Sequence, residues 1–176
     1  MHPHLTTILN NNIIPKNTIS LYHTNIRSLN RNYNLLTEHL KQFNTTPDII
    51  GLTDTFLKDD HKQNSYPIQD HKSIHIEDVS VYYKENLYIT IPKNIKIPRN
   101  MPKPIIIHIH QNKQKTDPIY TIITLYHRPT QNPDIIEHLQ KLIDNIHTKH
   151  PRTEIIIQGD LNINLLTLKP HPSLSY

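Results

Sequence analysis

The sequence EIIIQGDLN, at positions 154–162, says most about the fold. Its three consecutive isoleucines are typical of a strand that is buried on both faces, so we expect this strand at the centre of a sheet and Ile156 in the core. Asp160 and Asn162 follow at the end of the strand, and their two-residue spacing places both on one side of the chain. Active sites of α/β proteins gather at strand ends, so this stretch predicts a sheet and a site together.

The clearest predicted helix lies directly before this strand. Its apolar residues form one stripe at helical spacing, which we expect to pack in the core. They are Ile135, Ile136, Leu139, Leu142, Ile143 and Ile146. Asn132 is the predicted N-cap of this helix, and Pro133 is its first residue. A second helix is predicted over residues 31–43, with Asn30 as its N-cap.

The remaining strands are short, and clusters of Pro or of Asn and Lys separate them. They are predicted at residues 18–25, 49–53, 73–76, 79–83, 87–91, 105–110 and 119–126. The order of strands and helices indicates an α/β fold. Because two helices cannot cover every strand, we expect a layered α/β sandwich of two packed sheets flanked by helices.

Length and composition limit the class of protein. A chain of 176 residues is about the length of one domain; we expect a flexible segment at 1–17, the domain at 18–164 and a tail at 165–176. The absence of cysteine excludes disulfides, thiolate metal sites and thiol catalysis. No apolar run approaches the roughly 18 residues of a membrane span, and residues 1–4 lack a signal-peptide pattern. We therefore expect an intracellular protein with no membrane attachment.

Positive charge is concentrated in the second half of the chain. Residues 1–88 carry a net charge of −1 and residues 89–176 a net charge of +5. Six basic residues and no acidic residue lie between positions 86 and 116: Lys93, Lys96, Arg99, Lys103, Lys113 and Lys115. Such a stretch can neutralise the phosphates of a nucleic acid. It can equally be an ordinary solvated surface, and charge alone leaves both interpretations open.

Polar residues end several of the predicted strands. With only two glycines, the chain has no Walker loop, no dinucleotide-binding loop and no nucleophile elbow. Asn25, Asp54 and Tyr126 each end a predicted strand, as Asp160 does. We expect these side chains, together with Asn162, to converge on one cleft.

Five short sequences at these strands lie in a characteristic order. They are HTNIRSL (23–29), PDIIGLTDTFL (47–57), VSVYYK (79–84), LYHRP (125–129) and IIQGDLN (156–162). Together they resemble the motifs of the endonuclease/exonuclease/phosphatase superfamily, and especially of the endonuclease domain of non-LTR retrotransposons. The glycines that usually precede the third motif are missing here.

The resemblance implies a metal-dependent phosphodiesterase, most closely a DNA-nicking endonuclease. In that family's scheme Asp160 is the general base that deprotonates the attacking water. Asn25 and Asn162 hold phosphate oxygens or the water, and Tyr126 donates a hydrogen bond to a phosphate oxygen. Asp54 stands at the place of the family's metal-binding Glu and would bind Mg²⁺ or Mn²⁺, for which carboxylate and water are suitable ligands.

The resemblance also implies a partner. Nucleic acid, with DNA preferred, is the expected ligand, and no small-molecule organic cofactor is expected. The residues predicted to contact it are Arg128, Lys93, Lys96, Arg99 and Lys103. A mobile-element nuclease must reach DNA, so in a eukaryote we expect a nuclear location.

Two departures from the family affect the expected activity. The family's closing Ser-Asp-His motif has no counterpart in residues 165–176, and Asp54 is one methylene shorter than the family's Glu. We therefore expect a domain that is incomplete at its C-terminus and weakened in activity. The alternative is a non-catalytic remnant that acts at most as a nucleic-acid-binding module.

Three other clusters were weighed as sites. His108 and His110 share a strand face, and a zinc site there needs a third ligand such as His127. The chain has fourteen histidines and no alanine, which indicates a guanine-poor gene, so we expect these histidines to be exposed strand residues. The acidic pair 59–60 is expected to be solvated, and the tyrosines at 82–83 are expected to pack rather than to stack on bases.

Overall fold

The computed structural model describes residues 18–57, 65–114, 117–129 and 134–163. These residues form an α/β fold, as predicted. The elements are β1 (Leu21–Asn25), α1 (Leu29–Leu40), β2 (Ile49–Thr53), β3 (His71–Ile76), β4 (Val79–Lys84), β5 (Tyr88–Thr90), β6 (Ile105–His110), β7 (Tyr120–Tyr126), α2 (Ile135–Lys149) and β8 (Glu154–Asp160). Neither described helix is long and apolar enough to cross a membrane.

The strands form two mixed sheets of four. Their orders are β1-β2-β4-β3 in the first sheet and β5-β6-β7-β8 in the second. Each sheet contains one parallel pair, β1 with β2 and β7 with β8. A helix makes the crossover in each pair, α1 in the first sheet and α2 in the second. The carboxyl ends of the two strands in each pair therefore lie at the same edge of their sheet, and these are the ends that carry the predicted site.

Apolar side chains from both sheets share one cluster. Ile49 and Val81 of the first sheet belong to it, together with Ile107 and Ile122 of the second, and each of the four is fully buried. Burial of a large aliphatic side chain stabilises the fold by about 1.5–3 kcal/mol. Strands of both sheets therefore contribute to one buried cluster.

Two further clusters hold the helices. α1 packs through Leu36 and Leu40 onto Leu52 of β2. α2 packs through Leu142 onto Leu125 of β7. Ile49 of β2 and Ile122 of β7 belong instead to the cluster shared by both sheets. Each strand can contribute to two clusters because its successive side chains point to opposite faces.

The second sheet corrects one prediction about β8. Within the described residues β8 is an edge strand that pairs with β7 alone, and it is not central. Ile155 and Ile156 are only partly buried, in two different clusters, and Ile157 is 37% exposed. Three consecutive isoleucines predicted a strand covered on both faces, but the edge position leaves part of each face open.

The helices also differ from the predictions in detail. Leu139 is buried in the core as expected, Ile143 is half-buried, and Ile136 is 43% exposed, so the predicted core stripe is too wide. α1 begins at Leu29, with Ser28 before it, so Asn30 lies inside the helix and is not its cap. The predicted cap Asn132 and the predicted first residue of α2, Pro133, lie outside the described residues.

Candidate active site

Four predicted site residues lie at neighbouring strand ends. Asn25 is the last residue of β1 and is paired in register with the last residue of β2, which Asp54 follows. Tyr126 and Asp160 are the last residues of β7 and β8 and are paired with each other. β1 also contacts β8 across the two sheets. The packing of the sheets therefore brings the ends of both parallel pairs together.

The carboxylate of Asp160 is held by two hydrogen bonds. Nδ2 of Asn25 donates to Oδ2 of Asp160 at 2.7 Å. The backbone N–H of Asn162 donates to Oδ1 at 3.2 Å. Donors on both oxygens fix the direction of a carboxylate, and bonds to an ionised acceptor are stronger than bonds between neutral groups. Asp160 is therefore presented in one orientation at the end of β8.

The side chain of Asn162 contacts a backbone group and not the carboxylate of Asp160. Its side-chain Nδ2 donates to the backbone oxygen of His127 at 2.8 Å. The backbone N–H of His127 in turn donates to the backbone oxygen of Asp160 at 2.9 Å. The amide of Asn162 therefore joins the loop after β8 to the loop after β7, and its predicted contact with phosphate or water stays a prediction.

Tyr126 of the second sheet lies within electrostatic reach of Asp54, which follows the first sheet's β2. Burial raises the pKa of Tyr126, and the negative charges of Asp54, Asp160 and Asp78 raise it further. The hydroxyl therefore stays protonated and can donate throughout the neutral pH range. Three carboxylates acting on one group also make this part of the molecule attractive to cations.

Several loops at the strand ends hold non-glycine residues in left-handed backbone conformations. The φ angles are 47° at Arg27 and 85° at Ser28 after β1, 58° at Asp54 and 50° at Phe56 after β2, and 47° at Asn162 after β8. Residues other than glycine rarely adopt these angles, and each costs on the order of 1–3 kcal/mol. Such strain persists where surrounding contacts impose it, and it is concentrated at functional sites.

Two of the five predicted nucleic-acid contacts lie beside Tyr126. Arg128 and Lys103 line a pocket of about 110 Å³ together with Tyr126, Glu77 and Asp78. Arg128 forms an ion pair with Asp78. Nζ of Lys103 lies 2.8 Å from Oε1 of Glu77. Both cations are therefore near the strand ends, and both are paired with carboxylates.

The other three predicted contacts lie in the loop between β5 and β6. Lys93 and Arg99 are exposed there. The backbone N–H of Lys96 donates to Oδ1 of Asn145 on α2 at 3.0 Å. This contact places Lys96 beside α2.

Two residues beside the strand ends, His23 and Asp78, were not predicted from the sequence as site residues. His23 lines a pocket of about 460 Å³ with Asn25, Asp160 and Asn162. Its Nε2 lies 3.2 Å from Oγ1 of Thr53. Burial lowers the pKa of His23, and the charge of Asp160 partly offsets that effect. Its two-residue spacing from Asn25 was a usable signal for a shared face, whereas nothing in the local sequence pointed to Asp78.

The histidine cluster differs from expectation. His108 is only 4% exposed, and its ring lies 4.8 Å from the ring of His150. His127 instead donates from Nδ1 to the backbone oxygen of Leu161 at 2.9 Å. The expectation of an exposed His108 was wrong because β6 is covered on the face that this residue occupies. The acidic pair 59–60 falls outside the described residues.

Within residues 18–57, 65–114, 117–129 and 134–163, no group of three or more His, Cys, Asp or Glu could hold a metal ion. Comparison with protein-family profiles and with curated proteins finds no match. Function is therefore inferred from the geometry of the strand ends.

Proposed function

We propose that this chain is a metal-dependent phosphodiesterase domain that nicks DNA, of the endonuclease/exonuclease/phosphatase kind that its motifs resemble. The observation that carries the proposal is the hydrogen bond between Asn25 and Asp160, residues 135 positions apart in sequence. It connects the first motif to the last. The charge of Asp54 acting on Tyr126 relates the other two strand-end motifs.

The same proposal includes the finer architecture, a layered α/β sandwich with flanking helices. One apolar cluster is shared by the two sheets, and each helix packs on a separate cluster that includes residues of one sheet. These contacts support two packed layers with a helix outside each.

Asp160 is the proposed general base. A carboxylate can take a proton from an attacking water when it is fixed within hydrogen-bonding reach of that water. The bonds from Asn25 and from the backbone of Asn162 supply that fixed direction. We therefore assign Asn25 the orienting of Asp160, in addition to its family role.

Tyr126 is the proposed donor to the phosphate. Its protonated hydroxyl can stabilise negative charge that develops on a non-bridging oxygen in the transition state. Arg128 and Lys103 line the adjoining pocket and are the nearest cations for neighbouring phosphates.

Asp54 is the proposed ligand of Mg²⁺ or Mn²⁺. Magnesium is commonly held by one or two carboxylates, with water and substrate phosphates as the remaining ligands, so a cluster of three acidic side chains is not required. The charge of Asp54, with that of Asp160, acts on Tyr126 at these strand ends and favours the approach of such an ion. When bound, the cation supplies stabilisation of the charge on the transferring phosphate.

DNA is the proposed substrate, with Lys93, Lys96 and Arg99 as outlying backbone contacts and the nucleus as the site of action. A second candidate is a nucleic-acid-binding module without cleavage. The ion pair of Arg128 with Asp78 favours it, because this cation beside the strand ends already has a carboxylate partner.

The test is Mg²⁺-dependent nicking of supercoiled plasmid by the chain and by Asp160→Asn. We expect nicking that requires the metal and falls by about 10²–10³ in the variant, as for loss of one essential group. Glu154→Gln is the matched control, because it makes the same change at the opposite, exposed end of the same strand. Equal nicking by both variants, or none by the unchanged chain, contradicts the proposal; binding without nicking favours the second candidate.

A further inference from the structure

The acidic turn, Glu77 and Asp78 between β3 and β4, has no part in the proposed cleavage. It nevertheless contacts both cations of the pocket beside Tyr126. Asp78 pairs with Arg128, and Glu77 pairs with Lys103 at 2.8 Å. We infer that the acidic turn occupies, on these two cations, the position of a nucleic-acid phosphate, and so limits how tightly the chain holds nucleic acid. The inference rests on the proposed function, because it takes nucleic acid as the ligand.

The backbone holds the acidic turn in place independently of its carboxylates. The backbone N–H of Thr55 donates to the backbone oxygen of Asp78 at 3.2 Å. The side-chain Oγ1 of Thr55 donates to the backbone oxygen of Glu77 at 3.4 Å. Thr55 is fully buried and directly follows Asp54. The turn is therefore anchored to the loop of the proposed metal ligand, and neutralising its side chains leaves it in position.

The two ion pairs differ in how far a phosphate can compete with them. The side chain of Asp78 is 15% exposed, while that of Arg128 is 55% exposed. The carboxylate is thus withdrawn from water, whereas more than half of the arginine side chain is exposed. Lys103 and Glu77 are both more than half exposed. Exposed pairs of this kind contribute little, so Asp78 should restrict binding more than Glu77.

The charge balance of the site points the same way. The pocket pairs two carboxylates, Asp78 and Glu77, with two cations, Arg128 and Lys103. The charges of Asp54 and Asp160 act on Tyr126 beside it and belong to the same group of charges. The formal charge of this group is −2. A phosphodiester that approaches in the absence of divalent cation therefore meets net repulsion. Removing one carboxylate of the acidic turn reduces the repulsion and removes a competitor of phosphate from one of the cations.

The experiment measures the Kd of a short fluorescein-labelled DNA duplex by anisotropy in EDTA, at salt concentrations of about 50 to 200 mM. Asp78→Asn and Glu77→Gln are compared with Glu85→Gln. Glu85 is exposed in the turn after β4, and its substitution changes the net charge equally. We expect Asp78→Asn to bind at least about threefold more tightly than the control, with a steeper salt dependence because one more cation is available. Glu77→Gln should show a smaller gain.

Several results overturn the inference. If Asp78→Asn binds no more tightly than Glu85→Gln, the acidic turn does not compete with phosphate. If it binds more weakly, Asp78 positions Arg128 instead. Absence of binding by every variant at the lowest salt overturns it too. Thermal unfolding checks that each variant is folded; should Asp78→Asn fail to fold, the exposed Glu77→Gln decides. Because EDTA excludes metal-dependent cleavage, a failure of the proposed function shows only in the separate nicking assay.

Discussion

Gly159 is the residue at which backbone geometry most limits the site. It lies in β8 with a φ of 150°, paired with Leu125 of β7. A Cβ added there would lie 1.9 Å from the backbone oxygen of Leu125, so the position has no space for a side chain. At Gly51 an added Cβ would lie 2.5 Å from Nε2 of Gln158, the end of a flexible side chain. A side chain is therefore excluded by backbone atoms at Gly159 and by a movable side chain at Gly51.

Substitution of these two glycines by alanine should separate the two effects. Gly159→Ala must move the backbone of β7 or β8, so we expect a loss of about 2 kcal/mol or more in the free energy of unfolding. Gly51→Ala displaces the amide of Gln158 from its bond with Thr124, at a cost of about 1 kcal/mol. Urea unfolding measures both; equal losses would contradict the assignment of backbone conflict to Gly159.

His108 should make the protein sensitive to acid. Burial lowers its pKa to about 4, and the neighbouring His150 and His110 contribute. Above pH 6.5 the residue is neutral in both states. As the pH falls from 6.5 toward 4, His108 becomes protonated in the unfolded chain but stays neutral in the folded chain. The free energy of unfolding therefore decreases, by about 2 kcal/mol between pH 7 and pH 5.

The check is urea unfolding of the chain and of His108→Gln at both pH values. Nδ1 of His108 is bonded to Oγ1 of Thr121 at 2.8 Å, and a glutamine amide can keep such a bond. We expect the variant to lose about 2 kcal/mol less than the unchanged chain on acidification. Parallel losses would show that other groups cause the acid sensitivity.

At the scale of elements, sequence patterns predicted the bounds of those strands that are defined by their own apolar residues. β2 and β6 have the predicted bounds, because runs of apolar residues defined them. The start of α1 was missed because distant residues set it: the N–H groups of Ser28 and Leu29 donate to the oxygens of Asp54 and Thr55. These backbone contacts replace a side-chain cap, and no sequence window around Asn30 contains them.

The apolar stripe of α2 gives a second prediction at this scale. Leu139→Ala should lower the free energy of unfolding by about 2–5 kcal/mol, because a buried side chain leaves a cavity. Ile136→Ala should cost less than about 1 kcal/mol, since 43% of that residue is exposed. Chemical denaturation of the two variants provides the comparison, and similar losses would contradict the orientation of the helix.

At the scale of the whole molecule, the site depends on how two sheets pack. The polar residues at strand ends could be predicted from two-residue spacing and strand order, and the structure brings Asn25, Asp54, Tyr126 and Asp160 together. The edge position of β8 and the pairing of Arg128 with Asp78 could not be predicted, because sheet order and ion pairs are set by contacts between distant segments.

The central claim is that Asn25 and Asp160 act as one unit in phosphodiester cleavage. A double-mutant cycle on single-turnover plasmid nicking in Mg²⁺ tests it, with Asn25→Ala, Asp160→Asn and both together. If Asn25 acts by orienting Asp160 through their 2.7 Å bond, each single change lowers the rate strongly, and the double variant is no more than about threefold slower than Asp160→Asn. Losses that multiply in the double variant, or nicking that neither change affects, would contradict the account.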